Sequence, residues 1–233
     1  MTSIINESSP ENLICLNGDN NCKFINELNY LRQEVGLLKN LVRTDALTGL
    51  YNFRFFNETI AVEVERARRG AQPLAMILLD IDHFKKFNDE WGHELGNQAL
   101  IHIANLIKIA IRKLDYGCRF GGEEFIILLP NTDLFQAVPV AERLREMIAT
   151  TPLILNGQSS IYLTASFGVD QFSMCISDSC EQFIRRVDAW LYQAKHNGRN
   201  KVSHPVLIER AQIEAVTLEE KAALFSDALN RNI

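Results

Sequence analysis

The chain has 233 residues, with 24 Lys and Arg against 29 Asp and Glu, a formal charge of −5. That length suits one globular domain with extensions, and 47% hydrophobic with 23% charged residues argues against wholesale disorder. A net acidic chain is a poor binder of nucleic acid or of a membrane surface, so any phosphate chemistry must rest on a few placed cations or metal ions.

No apolar run approaches the ~20 residues of a membrane helix, and Met1–Pro10 lacks the basic start and long apolar core of a signal peptide. The five cysteines (Cys15, Cys22, Cys118, Cys175, Cys180) form no CxxC pair. Their odd number and scattered spacing disfavour disulfides and structural zinc and suit a reducing cytoplasmic setting.

Residues 1–22 are rich in Asn, Ser and Asp, without periodicity, and read as a flexible start. From Phe24, the apolar positions Phe24, Leu28, Leu31, Val35, Leu38 and Val42 alternate in steps of four and three. This is a short heptad seam, open to two readings: a two-helix stalk, or a helix packed on its own domain. Gly36 weakens either helix by about 1 kcal/mol relative to Ala.

After a polar hinge at Arg43–Leu50, the residues Phe53, Phe56, Ile60, Val64 and Ala67 predict a helix capped at Gly70. Leu74–Leu79 reads as a buried strand carrying Asp80 and Asp82 at its end, and Leu100, Ala104, Ile107 and Ile111 mark the next helix. Tyr116–Phe120 and Phe125–Leu129 read as a hairpin around Gly121-Gly122-Glu123-Glu124.

A further helix carries Ala137, Ala141, Leu144 and Ile148, with Pro139 expected in its first turn. Ile161, Leu163, Ala165 and Phe167 alternate as in a half-buried strand. Phe183, Val187, Trp190 and Ala194 mark the last core helix, and Lys201-Val202 a short strand. Thr217-Leu-Glu-Glu220 reads as a capping box opening a C-terminal helix. The pattern predicts a mixed α+β domain over residues 44–204, a start and helical stalk over 1–43, and an extension over 205–233.

Asp80 and Asp82, and Glu123 and Glu124, come from separate strand ends, where carboxylates are held rigidly. Hard oxygen ligands of this kind suit Mg²⁺, which takes one or two carboxylates plus substrate phosphates. Solvated turn acids remain an equal reading on spacing alone. The glycine pair has no Cβ and tolerates positive φ, so its backbone can approach a ligand closely. Lys195 and Arg199 flank a glycine turn at a helix end, either as ordinary partners of the helix dipole or as phosphate clamps. The histidines lack metal-site spacing: His93 reads as a loop stabiliser, and Trp91 and Trp190 as packing residues.

Four blocks occur in order: Asp45-x-Leu-Thr-Gly-Leu; Asp80-Ile-Asp-His-Phe-Lys85-Lys-Phe-Asn88-Asp-x-x-Gly92-His93-x-x-Gly96; Arg119-Phe-Gly-Gly-Glu-Glu-Phe125; and Asp188-x-x-Leu-Tyr-x-Ala-Lys195-x-x-Gly-Arg199-Asn200. Together they resemble the GGDEF-domain diguanylate cyclases, in the GGEEF form, over about 160 residues.

The resemblance implies a domain similar to nucleotidyl cyclase and polymerase palms, with a mostly antiparallel sheet flanked by helices. It implies condensation of two GTP into cyclic di-GMP with release of two pyrophosphates, at the interface of a homodimer. By position, Asp80, Glu123 and Glu124 with the Ile81 carbonyl would hold Mg²⁺, with Mn²⁺ as the alternative ion, and Glu123 would assist the attacking hydroxyl. Gly121 and Gly122 would approach the substrate. Lys195 and Arg199 would hold the triphosphate beside Phe84 and Lys85, and Asn88 and Asn97 would read guanine.

Arg112-Lys-Leu-Asp115 stands at the spacing of the family's RxxD product-inhibition site, with Arg143 as a further contact. The family usually has Asp at the position of Asn97. Asn offers one acceptor and one donor amide, so discrimination against ATP is expected to weaken and a mixed guanine–adenine product becomes an alternative. Phe53 replaces a usual polar residue and is expected to alter packing or signalling. A catalytically silent receptor for cyclic di-GMP is the second alternative, and the retained Asp80, Glu123, Glu124, Lys195 and Arg199 argue against it.

Overall fold

A computed structural model describes residues 23–41, 43–155, 159–173 and 178–207. The expectations for residues 1–22, for Val42, for Cys175 and for the helix after Thr217 lie outside the described residues. In chain order the elements are α1 (Lys23–Leu41), α2 (Phe53–Gly70), β1 (Leu74–Ile81), α3 (Phe84–Trp91), α4 (His93–Ala110), β2 (Tyr116–Arg119) and β3 (Glu124–Pro130). They continue with α5 (Leu134–Thr150), β4 (Leu153–Leu155), β5 (Ser159–Ile161), β6 (Ala165–Gln171), α6 (Cys180–His196) and β7 (Val202–Ser203).

The main sheet has five strands in the order β2-β3-β1-β6-β7, antiparallel except for the β6–β7 pair. All eight residues of β1 are buried, as a central strand covered on both faces requires. Strand alternation divides it. Ala75, Ile77, Leu79 and Ile81 join the core beneath α4 and α5, whereas Leu74, Met76 and Leu78 join the core beneath α2 and α6. Asp80 therefore belongs to the α6 side of the sheet.

α1 forms where the heptad predicts, and Leu28, Leu31 and Val35 of its seam are about half exposed (46–47%). That exposure removes the reading of a helix packed on its own domain. α2 ends one residue differently from expectation: Gly70 is the last helical residue, and Ala71 takes the left-handed position (φ 47°) with its N–H bonded to the Ala67 carbonyl.

α5 starts at Leu134 because Asp133 and Gln136 form a capping box. Pro139 consequently lies beyond the first turn, inside the helix. The alternating segment 161–167 is not one half-buried strand. Ile161 ends β5, which pairs with β4 in a separate two-stranded sheet, and β6 is buried on both faces. On α6 the core position is Leu191, with Trp190 only partly buried. Trp91 is 47% exposed, against the expectation of a packing role.

Cys118 is buried, and that burial pushes its thiol up to about 12. Among the described residues Cys118 and Cys180 are both free thiols.

Candidate active site

The antiparallel ladder sets Asp80 directly opposite Glu124 on one side and opposite Ser166 on the other. Residues paired this way project from the same face of the sheet, so two acids from segments over forty positions apart meet by register alone. Glu123 is held beside them at the hairpin tip, where its carbonyl accepts from the Ile81 N–H at 3.4 Å. The Glu124 carbonyl accepts from the N–H groups of Phe120 (2.9 Å) and Gly121 (3.2 Å).

Neither Gly121 nor Gly122 adopts a positive φ, so the expected left-handed turn is not why they are glycines. A Cβ on Gly121 would come within 3.0 Å of the Glu124 carboxylate. At Gly121, then, the glycine makes room for the carboxylate.

α6 carries Lys195 onto this cluster, with its Nζ 2.8 Å from Asp80 Oδ2. Burial raises the Asp80 carboxyl above its ordinary range, and Asp82 adds to the rise, while Lys195 and then Arg199 pull it back. Glu123 and Glu124 are raised for the same leading reason, burial, with the negative charge of Asp80 next. Asp80 makes both glutamates harder to ionise and Glu124 adds to the rise at Glu123, so the cluster favours a bound cation.

No group of three His, Cys, Asp or Glu that could hold a metal by itself is present among the described residues. Lys195 supplies the positive charge at Asp80. The set fits a hard divalent ion that takes part of its shell from nucleotide phosphates; it does not fit a closed protein cage.

Asp82, one of the strand-end acids, is engaged elsewhere. It is 8% exposed and accepts from Ser166 Oγ (2.6 Å), Thr164 Oγ1 (2.8 Å) and the Asn200 N–H (3.0 Å). His83 follows with φ 58° and opens α3 without a side-chain cap, leaving the first backbone N–H groups of that helix free of one. Phe84 turns its ring into the core at 5% exposure, so only its backbone remains for a ligand. Lys85 is exposed at the start of α3, and Arg199 is exposed in the turn after α6.

Asn88 Oδ1 is buried with no hydrogen-bond partner. A Cβ on Gly96 would stand 1.9 Å from it. The missing side chain at Gly96 thus leaves room for an unused acceptor, beside exposed Asn97 on α4.

Arg119 and Asp45 border the site, and motif reading assigned neither a role. The Arg119 guanidinium donates to the Gly121 carbonyl (3.2 Å), to the Gly122 carbonyl (2.7 Å) and to both Asp45 oxygens (3.3 Å). Burial raises the Asp45 carboxyl, but the Thr48 hydroxyl and N–H together with Arg119 outweigh it and hold the group below its ordinary value. The turn that follows α1 is thereby tied to the acidic hairpin. Both residues stood inside quoted motifs, and their pairing was the missing signal. Phe53 packs edge-on against Phe120 at 5.0 Å, beside the same hairpin.

Arg112 and Asp115 lie at the opposite end of β2, four residues and about 13 Å along the strand from the hairpin. Asp115 Oδ2 accepts from the Arg112 N–H at 2.7 Å, and the Arg112 side chain is exposed. Burial raises the Asp115 carboxyl, while the Arg112 N–H and charge lower it. Two clefts of about 540 and 520 Å³ border this pair, the first also bordered by Glu63, Arg66 and Tyr116. Arg143 borders neither; it donates to the Ala110 carbonyl at 2.6 Å, at the end of α4.

Comparison with known proteins adds independent support. The family model described as diguanylate cyclase, GGDEF domain, matches residues 42–201. The response regulator PleD of Caulobacter vibrioides is 38% identical over 174 residues, which is 74% of this chain and 38% of that protein. The diguanylate cyclase SiaD of Pseudomonas aeruginosa, solved with its activator SiaC, is 37% identical with a TM-score of 0.67, over 78% of this chain and 69% of that one. The active GGEEF domain of a diguanylate cyclase from Vibrio cholerae is 34% identical with a TM-score of 0.63, over 67% of this chain and 98% of that one. The chain thus spans about two-fifths of the length of the first curated relative it matches.

Proposed function

The chain belongs to the GGDEF-domain diguanylate cyclase family, and from that premise we propose that it condenses two GTP into cyclic di-GMP and two pyrophosphates. One observation carries the reading: Asp80 and Glu124 face each other across the ladder, with Glu123 at the tip and Lys195 on Asp80. A receptor without catalysis has no need of three clustered acids.

Asp80, Glu123, Glu124 and the Ile81 carbonyl would hold Mg²⁺ or Mn²⁺. When bound, that ion polarises the phosphate and stabilises charge on the attacking and leaving oxygens. The protein's own part is positioning. Lys195 and Arg199, with the backbone at Phe84 and the ammonium of Lys85, bind the triphosphate. The unused Asn88 acceptor and Asn97 receive the guanine edge. Glu123, whose carboxyl lies above its ordinary range, takes the proton of the 3′-hydroxyl more readily than an unshifted acid would. Gly121 and Gly122 keep the hairpin slim where the second nucleotide must approach.

Each attack joins nucleotides held by two domains, so the working unit is a homodimer of residues 44–204. The half-exposed seam of α1, within the 1–43 stalk, favours that pairing; residues 205–233 form an extension outside the cyclase unit. The test is incubation of the purified chain with GTP and Mg²⁺, with and without equal ATP, over a dilution series. Cyclic di-GMP should dominate, with turnover per chain falling on dilution. Equal incorporation of adenine would overturn guanine selectivity at Asn97. No dinucleotide at all would overturn the cyclase reading and leave a receptor.

Product inhibition is assigned to Arg112 and Asp115, which border two clefts away from the acids. A guanidinium can take a guanine edge or phosphate in two parallel bonds. Arg112→Ala should raise the inhibition constant for cyclic di-GMP about tenfold or more while leaving initial turnover unchanged. Unaltered inhibition in that variant would place the regulatory site elsewhere. Arg143 is bound through Nη2 to the end of α4, and its remaining donors are open to a further contact.

A further inference from the structure

Three consecutive residues after α6 have left-handed backbones: Gly198 (φ 105°), Arg199 (φ 60°) and Asn200 (φ 45°). Glycine adopts this freely and asparagine tolerates it, but arginine does so at a cost. A turn of this kind persists only where its surroundings hold it. The Arg199 N–H bonds to the Ala194 carbonyl at 3.1 Å, and Asn200 Oδ1 accepts from Arg145 Nη1 at 3.3 Å. Lys201 Nζ donates to the Asn197 carbonyl across the turn, the Lys201 carbonyl accepts from the Phe167 N–H at 2.9 Å, and the Asn200 N–H donates to Asp82 Oδ2 at 3.0 Å.

Asp82 is fitted for that role. It follows β1 directly and is 8% exposed. Its N–H donates to the Thr164 carbonyl at 2.9 Å, and its carboxylate accepts from the Thr164 and Ser166 hydroxyls, which lie just before and within β6. No Lys or Arg pairs with it among the described residues. A buried carboxylate served only by neutral donors is oriented by all of them together. One side chain thus joins β1, the start of β6 and the turn that carries Arg199. Two residues before Asp82, on β1, stands Asp80, whose carboxyl burial raises and Lys195 and then Arg199 lower.

We propose that Asp82 is a positioning residue for substrate binding: its carboxylate fixes the Gly198–Asn200 turn and so aims the Arg199 guanidinium at the nucleotide phosphates. The inference rests on the reading of Arg199 as a triphosphate clamp. It gives Asp82 a role other than that of a metal ligand, because both of its oxygens already accept hydrogen bonds.

The test uses the full chain and the variants Asp82→Asn, Arg199→Ala and the double variant. Binding is measured by calorimetry with 3′-deoxy-GTP, which lacks the attacking hydroxyl, and with guanosine, which lacks phosphates. Asn keeps one acceptor but turns a donor amide toward the others. Asp82→Asn should weaken 3′-deoxy-GTP binding and raise the KM for GTP about tenfold, with a smaller change in kcat and none in guanosine affinity. The double variant should be no weaker than Arg199→Ala alone, since both remove the same contact. Losses that add, or equal weakening of guanosine, would overturn the proposal.

Hydrogen exchange supplies a readout independent of nucleotide: the Asn200 amide should lose its protection in Asp82→Asn, and unchanged protection would also overturn it. If the wild type itself binds no 3′-deoxy-GTP, the phosphate role of Arg199 falls, while the exchange result still decides whether Asp82 holds the turn. Should Asp82→Asn fail to fold, Thr164→Val removes one orienting donor and should move nucleotide affinity in the same direction by a smaller factor. No movement there would count against the proposal.

Discussion

Glu123→Gln should lower turnover by about a thousandfold or more and at the same time raise the melting temperature of the nucleotide-free protein at pH 7. The two effects have one origin. Glu123 lies above its ordinary carboxyl value first because burial disfavours its charge, then because Asp80 and Glu124 repel it, with Lys195 opposing. A carboxyl raised on folding binds its proton more tightly in the folded chain. Its contribution to stability is therefore present below the unfolded value and is lost as pH rises through the folded value. At neutral pH the ionised cluster works against the fold.

Glutamine keeps the shape and removes the charge. The gain in melting temperature should be of order a few degrees at pH 7 and should vanish near pH 4, where the native acid is protonated as well. Thermal melts of both proteins across pH 4–8, beside turnover at pH 7, check this. A variant that loses activity but melts lower than wild type at pH 7 would refute the electrostatic account. Mg²⁺ and GTP together should raise the wild-type melting temperature more than that of the variant, because the wild type has more repulsion to relieve.

Gly168→Ala should be the most damaging single methyl addition among the described residues. A Cβ there would lie 2.2 Å from the Val187 carbonyl oxygen and 2.4 Å from the Leu191 nitrogen. These are backbone atoms of α6, and no rotamer change moves them. The helix must lift off β6 as a body, opening the core around Phe183, Val187 and Leu191. Overpacking of this kind costs about 3 kcal/mol or more, on the order of 10 °C in melting temperature for a domain of this size.

The folded fraction should also be impaired, because the same helix carries Lys195 to Asp80. Gly36→Ala is the control: a Cβ there meets nothing within 4 Å, so Ala should be neutral or slightly stabilising. Calorimetry of the two variants checks both statements, and a melting temperature for Gly168→Ala within two degrees of wild type would refute the close approach.

Much of the site was legible in the sequence because its residues sit in contiguous blocks whose local structure is strongly determined. β1 and the hairpin are short apolar runs bounded by turn residues, and they emerged within one or two residues of expectation. The register between them, which makes Asp80 and Glu124 neighbours, is a property of pairing and has no mark in either segment.

The alternation over residues 161–167 predicts a half-buried strand, whereas β6 is buried on both faces for a physical reason. Its polar side, Ser166, Gly168 and Asp170, is buried because each position meets a specific partner: Asp82, the backbone of α6, and Arg186. Pattern reading equates polar with solvated and misses this. α3 has no signature in the apolar pattern because its eight residues place only Phe84 in the core, too few to show a period. Arg119 was visible only as motif text, since its bond to Asp45 spans 74 positions.

The pairing of Asp80 with Glu124 is a count before it is a distance. Strands slide past one another only in whole residues of about 3.3 Å, and an odd step turns every side chain to the other face. The gap between these two acids therefore cannot drift by tenths of an ångström as core side chains exchange; it is held or lost outright. Apolar replacements along β1 and β3 that keep the packing leave Asp80 opposite Glu124 while the count stands. A single residue inserted or deleted in either strand, unless a bulge absorbs it, takes Asp80 and Glu124 out of register, so length is the dangerous change here and composition the tolerated one.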